Sequence, residues 1–224
     1  MITKGAVKPA QVTKYAHLEP LPDPPKVIKM EQFKSINLFA SVLSARFADR
    51  GDVLISGEGY VCRARSDLNP LFVPDAVFVD GLEDPDGIIS TNGYVIDEVG
   101  KPPDLVFEAA SKSTGRRDLT VKREGYALFG VTEYWRFDPS GGVYHGVALA
   151  GDRLIDGKYE PIEIHEQPDG LLWGYSAVLD LHVCSDEKQL RFRDPANMEF
   201  LLDNVEAQAE VERLREQIRR LKQG

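Results

Sequence analysis

The sequence predicts an α/β domain built on one sheet, and three features of residues 71–139 carry that prediction. Two apolar runs have the length and residue types of strands buried in a sheet: Leu71, Phe72, Val73 with Ala76, Val77, Phe78, Val79, and Leu105, Val106, Phe107 with Ala109, Ala110. Each run carries one carboxylate, Asp75 in the first and Glu108 in the second. After the second run, Leu119, Lys122, Tyr126 and Phe129 fall on one helical stripe that Gly130 closes. A charge inside a buried strand is costly unless it is paired, hydrogen-bonded or bound to a cation. Two such charges in one sheet ask for a common explanation. A shared divalent metal is one; turn caps, or pairs with arginines at the sheet edge, are the other.

The remaining elements follow in order. Residues 1–25 carry Pro9, Pro20, Pro22, Pro24 and Pro25, which interrupt helix and strand alike and mark an extended N-terminal arm. The domain then spans 26–194. Phe33, Ile36, Phe39, Ala40, Leu43 and Phe47 recur at three- and four-residue steps, so 30–49 is an amphipathic helix, with Gly51 as its stop. Strand-like pieces at 53–56 and 60–64 flank a turn at Gly57 and Gly59, and 81–93 reads as an Asp- and Gly-rich loop. Pro102 and Pro103 end the segment 94–101 and launch the Glu108 strand. Asp118 stands where the cap of the helix 119–129 belongs. A strand at 131–137 sets Tyr134 and Trp135 on opposite faces. Strands at 143–149, 153–155 and 159–164 are separated by the turn dipeptides Gly141-Gly142, Gly151-Asp152 and Asp156-Gly157.

From 195 to 224 the pattern changes to one long helix. Phe200, Ala207, Val211, Leu214, Ile218 and Leu221 occupy a and d positions of a heptad, with Asn204 at another. Two readings of this narrow stripe stand, a short coiled coil that joins copies of the chain into a homodimer or higher oligomer, and a helix packed on its own domain.

Composition bounds the function. A length of 224 residues suits one α/β domain with appendages. The net charge of −9 disfavours non-specific coating of nucleic acid, so any such binding needs a local basic patch. Arg116, Arg117, Lys122 and Arg123 form the one dense basic cluster beside the two carboxylate-bearing runs; a solvated helix start is its plain alternative. No apolar run approaches the roughly 20 residues of a membrane span and no signal-peptide core opens the chain, so the cytoplasm is expected. Cys62 and Cys184 lack metal-ligand spacing and read as small buried residues. His17, His145, His165 and His182 sit in separate segments and receive no role. Ser111 and Ser113 have no GxSxG elbow, which argues against a serine hydrolase.

In one order and spacing the chain carries Pro74-Asp75, Pro103-Asp104-Leu105-Val106-Phe107-Glu108, Ser111, Ser113-Thr114, Asp118 with Lys122 and Tyr126, and Glu133-Tyr134-Trp135 leading to Asp138-Pro139. In this it resembles the PD-(D/E)XK nuclease superfamily and, within it, the Uma-type restriction endonuclease domain. The resemblance covers about two thirds of the chain, weakly through LLWGYSAVLDLHVCSDEKQLRFRDP and the last helix. It implies a restriction-endonuclease-like mixed central sheet flanked by helices. It also implies that Asp75, Glu108 and the main-chain carbonyl of Ala109 hold Mg2+, or Mn2+ in its place, against the scissile phosphate. The superfamily's lysine lies two residues after the Glu, where this chain has Ala110; in the Uma-type domain it is moved to the next helix, here Lys122. Arg116, Arg117, Arg123 and Tyr126 are then the expected substrate contacts, with Asp118 holding Lys122, although plain helix stabilisation and core packing also account for Asp118 and Tyr126. A further upstream acid common in the family is represented only by Glu31 or Glu58. The expected activity is metal-dependent endonucleolytic hydrolysis of DNA; the alternative is a catalytically silent nuclease fold that serves as a scaffold through its terminal helix.

Overall fold

In the computed structural model, residues 13–23, 30–57, 59–66, 68 and 71–223 are described. Helix α1 (Met30–Arg46) is followed by β1 (Leu54–Ser56), β2 (Tyr60–Cys62), β3 (Ala76–Val79), α2 (Pro85–Ser90), β4 (Gly93–Val95), α3 (Ile96–Val99) and β5 (Leu105–Ala109). Next come α4 (Gly115–Leu119), α5 (Val121–Phe129), β6 (Glu133–Phe137), β7 (Leu149–Ile155) and β8 (Lys158–Pro161). The chain continues through β9 (His165–Glu166), β10 (Leu172–Ser176), β11 (Leu181–Asp186) and β12 (Gln189–Arg193) to α6 (Asn204–Gln223).

The central sheet has six strands in the order β1-β3-β5-β6-β7-β8. Only β5 and β6 run parallel, and α4 and α5 make the crossover between them. Every residue of β3, β5 and β6 is buried, because layers cover both faces of the sheet. On one face α1 presents Ile36, Phe39, Val42 and Leu43 to Phe78, Phe107, Trp135 and Phe137. Phe39 stacks on Phe107 with ring centroids 4.8 Å apart. On the other face Val77, Val79 and Val106 meet Phe72, Tyr126, Phe129 and Tyr134. Gly125 of α5 is small because a Cβ there would stand 2.2 Å from the Phe72 ring. Tyr134 and Trp135 do divide between the two faces.

Several expectations need correction. Residues 81–93 are not all loop: Asp84 caps α2 by accepting from the Gly87 N–H at 3.0 Å, and Pro85 starts it. Gly151-Asp152 is no turn but the middle of β7. A Cβ at Gly151 would meet Trp135 at 2.9 Å, so its missing side chain serves close packing. The 143–148 segment is loop and β7 begins at Leu149, whereas Asp156 and Gly157, both at positive φ, form the expected turn. The C-terminal helix starts at Asn204, and Phe200 lies before it, bridged to Arg193 and covered by Arg191.

A second, four-stranded antiparallel sheet in the order β12-β11-β10-β9 packs Leu181, Val183, Leu190 and Phe192 into the same core as α1. Glu133 ties it to the central sheet: its buried carboxylate accepts from Trp135 Nε1, Arg153, Ser176 Oγ and the Ala177 N–H. Of the arm expected at 1–25, residues 13–23 lie against the domain with Tyr15 and Leu21 buried. Cys62 and Cys184 are free and buried; burial raises both thiols, that of Cys184 to about 12.

Candidate active site

The site forms where β3 begins and β5 ends. Their antiparallel register pairs Ala76 with Phe107 and Val77 with Val106. One step further sets Asp75 opposite Glu108. Side chains alternate along a strand, so Asp75 shares the face of Val77 and Val79, and Glu108 that of Val106. Cross-strand neighbours of this kind have Cβ atoms about 5 Å apart. Both carboxylates are 1% exposed.

Helix α5 delivers the third group. Lys122, 7% exposed, places Nζ 2.7 Å from Glu108 Oε2 and 3.1 Å from Asp118 Oδ1. The Asp118 contact is an ion pair off the hydrogen-bond line, since Oδ1 has no hydrogen-bonded partner among the described residues. Burial disfavours the ammonium, but Glu108, Asp118 and Asp75 outweigh it and raise the Lys122 pKa. Lys122 is therefore a fixed cation at neutral pH and cannot accept a proton from water.

Around these three the protein supplies fixed partners. Tyr126 donates its hydroxyl to Glu108 Oε1 at 2.9 Å, and burial with Glu108 beside it raises the phenol far above its ordinary range. Asp75 Oδ2 accepts from the Ala109 N–H at 2.7 Å. Gln32 of α1 donates Nε2 to Ala109 O at 2.7 Å and to Asp75 Oδ2 at 3.4 Å. His145 places Nε2 3.1 Å from Asp118 Oδ2, and Tyr134 donates to Asp118 O at 3.0 Å. Asp118 is desolvated, which alone raises its pKa; His145 and Lys122 overcome that and lower it.

Most of the expected residues thus converge, and two do not have the expected part. Tyr126 is wholly buried, and its hydroxyl is spent on Glu108. Arg123 turns to the other side of α5, where it forms a bidentate pair with Asp152 at 2.7 and 3.1 Å and donates to Tyr159 O. Asp118 is not a helix cap either. It lies inside α4, and the chain breaks at Thr120 (φ −125°, ψ −92°) before α5 starts. Arg116 and Arg117 are exposed on α4. Glu58, and the side chain of Glu31, lie outside the described residues.

Hard oxygen donors suit a hard divalent cation. Asp75, Glu108 and the Ala109 carbonyl are such a set. No group of three His, Cys, Asp or Glu side chains with metal-holding geometry occurs among the described residues. A main-chain carbonyl or an amide would have to complete the ligand set.

The model of the Uma2 family, described as "Putative restriction endonuclease", matches residues 26–174. The chain belongs to this family. No curated protein matches it. Among solved structures it is similar to one titled "putative nuclease belonging to DUF820", from Anabaena variabilis ATCC 29413. That likeness has 16% identity and a TM-score of 0.44, and covers 65% of this chain and 73% of the other. Within the Uma2 domain, the two site residues that sequence reasoning missed are His145 and Gln32. His145 carries no local signal, because only the folding of the loop after β6 brings it to Asp118. Asp138 folds that loop by accepting from Ser140, Tyr144 and His145 N–H groups. Gln32 did have a signal: it sits four residues before Ile36, a polar residue on the core stripe of α1.

The lowered Asp118 pKa fixes a sign. Its ionised form stabilises the fold above the unfolded carboxylate pKa of about 3.9, and that contribution is lost as pH falls through the lower folded value. Asp118→Asn is expected to cost about 3 kcal/mol at pH 7, with a penalty that is level above about pH 5 and shrinks on acidification below about pH 4. Urea unfolding of parent and variant across that range measures it. A penalty unchanged down to pH 2 contradicts the assignment.

Proposed function

We propose that this protein is a metal-dependent endonuclease that hydrolyses phosphodiester bonds of DNA. The observation that carries this reading is the convergence of Asp75, Glu108 and Lys122 at the paired ends of β3 and β5. A bound Mg2+ or Mn2+ would supply Lewis-acid activation of the phosphate and an activated water. Asp75, Glu108 and the Ala109 carbonyl would hold it. Tyr126 and the Ala109 N–H fix the orientation of Glu108 and Asp75, so little reorganisation is left for the reacting state. The Lys122 ammonium offsets negative charge that builds on the phosphate, and Asp118 with His145 keeps that ammonium in place. Exposed Lys112, Arg116 and Arg117, at the start of the crossover after β5, provide phosphate contacts beside the cleaved bond. They are the local basic patch that an acidic chain needs.

Supercoiled plasmid with Mg2+ or Mn2+ is the direct substrate. Nicking by the parent is expected, lost in Asp75→Asn and in Glu108→Gln together with Mn2+ uptake. Lys122→Met is expected to slow cutting by about a hundredfold while leaving Mn2+ uptake in place. A parent that neither cuts nor takes up Mn2+ supports the silent-scaffold reading instead.

We further propose that the chain dimerises through α6. Val211, Leu214, Ile218 and Leu221 are 40% to 83% exposed, so the helix does not spend this stripe on its own domain. β-branched Val211 and Ile218 at a, with Leu214 and Leu221 at d, favour a parallel pair of strands. In that arrangement Glu210 at g faces Arg215 at e of the second copy, which is charge-complementary. Sedimentation is expected to give a dimer that Leu214→Glu with Ile218→Glu converts to monomer; a parent that is monomeric at tens of micromolar refutes the pairing.

A further inference from the structure

The two carboxylates of the site are half of a longer row. Asp75 and Glu108 face each other across β3 and β5, the β5–β6 register sets Glu108 beside Arg136, and the β6–β7 register sets Arg136 beside Ala150. Residues in register share a face, and neighbouring strands lie about 4.8 Å apart. Arg136 is therefore one strand away from the proposed cation position. Beyond it the small side chain of Ala150 opens the floor of a cleft of about 700 Å³, which Arg136 lines together with Arg123 and Asp152.

Arg136 is the unsatisfied member of this cleft. It is 8% exposed, and among the described residues its one hydrogen bond runs from Nη2 to Asp152 Oδ2 at 2.5 Å. Its Nε is buried with no partner among them. A guanidinium has five N–H donors and keeps its charge, so a buried one that uses a single donor calls for an anion. Asp152 does not meet that demand, since Arg123 already holds both of its oxygens, at 2.7 and 3.1 Å. Two guanidiniums thus share one carboxylate at the floor, and the charge left over is positive. The wall of the cleft is apolar, with Val147, Ile164 and Leu172. The other carboxylate of the lining, Glu166, is exposed, so water and salt screen it. A guanidinium beside an apolar wall fits a phosphate that carries an organic group, and a nucleotide unit is such a ligand.

From this row we infer that the cleft is a phosphate subsite, in which Arg136 binds the phosphate next to the scissile one and the apolar wall takes the sugar and base of that nucleotide. The inference rests on the DNA reading above, but not on its cation. Asp152 is then a positioning group that aims Arg136. Arg123, which the sequence places among the substrate contacts, acts through Asp152 and not on the strand.

Binding of a short labelled DNA duplex, followed by fluorescence anisotropy in EDTA over a range of salt, separates this subsite from the cation. Log affinity falls against log salt concentration with a slope of about 0.9 for each phosphate that a protein neutralises. Arg136→Met is expected to weaken binding by about tenfold and to reduce the slope by about that one contact, and Arg136→Lys to restore the slope. An arginine that only holds the fold would leave the slope where it is. Ala150→Glu, which puts a carboxylate beside Arg136, is expected to give the same loss and decides alone should the Met variant fail to fold. Variants that bind with the parent's affinity and slope overturn the subsite and leave the hydrolysis standing. A Met variant that loses only its stabilisation by inorganic phosphate, and binds the duplex as the parent does, gives the cleft to a free anion and overturns the subsite as well. Slopes that fall as expected, in a protein that cuts no plasmid with Mg2+ or Mn2+, support the subsite and remove the hydrolysis. A parent that binds no duplex at low salt removes the DNA reading and the subsite together.

Discussion

One buried ammonium holds the end of the central sheet together. Asp75, Glu108 and Asp118 are each almost fully removed from water, and such carboxylates persist in a core only with partners close at hand. Lys122 lies within ion-pair distance of Glu108 and Asp118 and feels Asp75 as well. Tyr126, His145 and the Ala109 N–H satisfy the lone pairs it does not reach. A network of this kind contributes little net stability compared with an apolar core of the same shape, because desolvation offsets most of the attraction. What it contributes is a fixed constellation of charged groups at one end of the sheet, the constellation on which the proposed metal-dependent hydrolysis rests.

The rest of the fold can be understood as the means of placing that constellation. The antiparallel pairing of β3 with β5 opposes two carboxylates. The parallel pairing of β5 with β6 requires a crossover, and the crossover is the α4–α5 unit that carries both Asp118 and Lys122. The break at Thr120 lets α4 and α5 point differently, so the lysine returns to the strand it follows. Gly115 lies against the 144 loop closely enough that a Cβ would meet Tyr144 O at 2.7 Å, and this contact brings His145 onto Asp118. On the opposite face α1 and the second sheet bury Phe107 and Phe137, and α1 sends Gln32 around the strand end.

Elements whose reasons are local were legible in the sequence. The runs around Asp75 and Glu108, the stripe of Lys122, Tyr126 and Phe129, and the division of Tyr134 from Trp135 follow from periodicity and appear in the structure. Misreadings arose where a residue's usual local meaning gave way to a tertiary contact. Gly151 and Asp152 form a turn signal in isolation, yet Trp135 lies over the one and Arg123 with Arg136 claims the other. Arg123 belongs to the basic cluster by sequence and to an internal ion pair in space. Phe200 fits the heptad by counting but leaves it for a contact with Arg191. His145 is tied to the site by a loop whose shape Asp138 sets, and no spacing rule connects them. The α2 helix, by contrast, was marked by Asp84 and Pro85 and was hidden only by the surrounding Asp and Gly residues.

The proposed hydrolysis requires a cation bound where Asp75, Glu108 and the Ala109 carbonyl meet. Crystals soaked in Mn2+ and measured at the manganese absorption edge test this most directly. A single anomalous peak within about 2.5 Å of oxygen atoms from all three residues is the expected result. Soaked crystals with no peak there, or with manganese held only by surface carboxylates elsewhere, would contradict it.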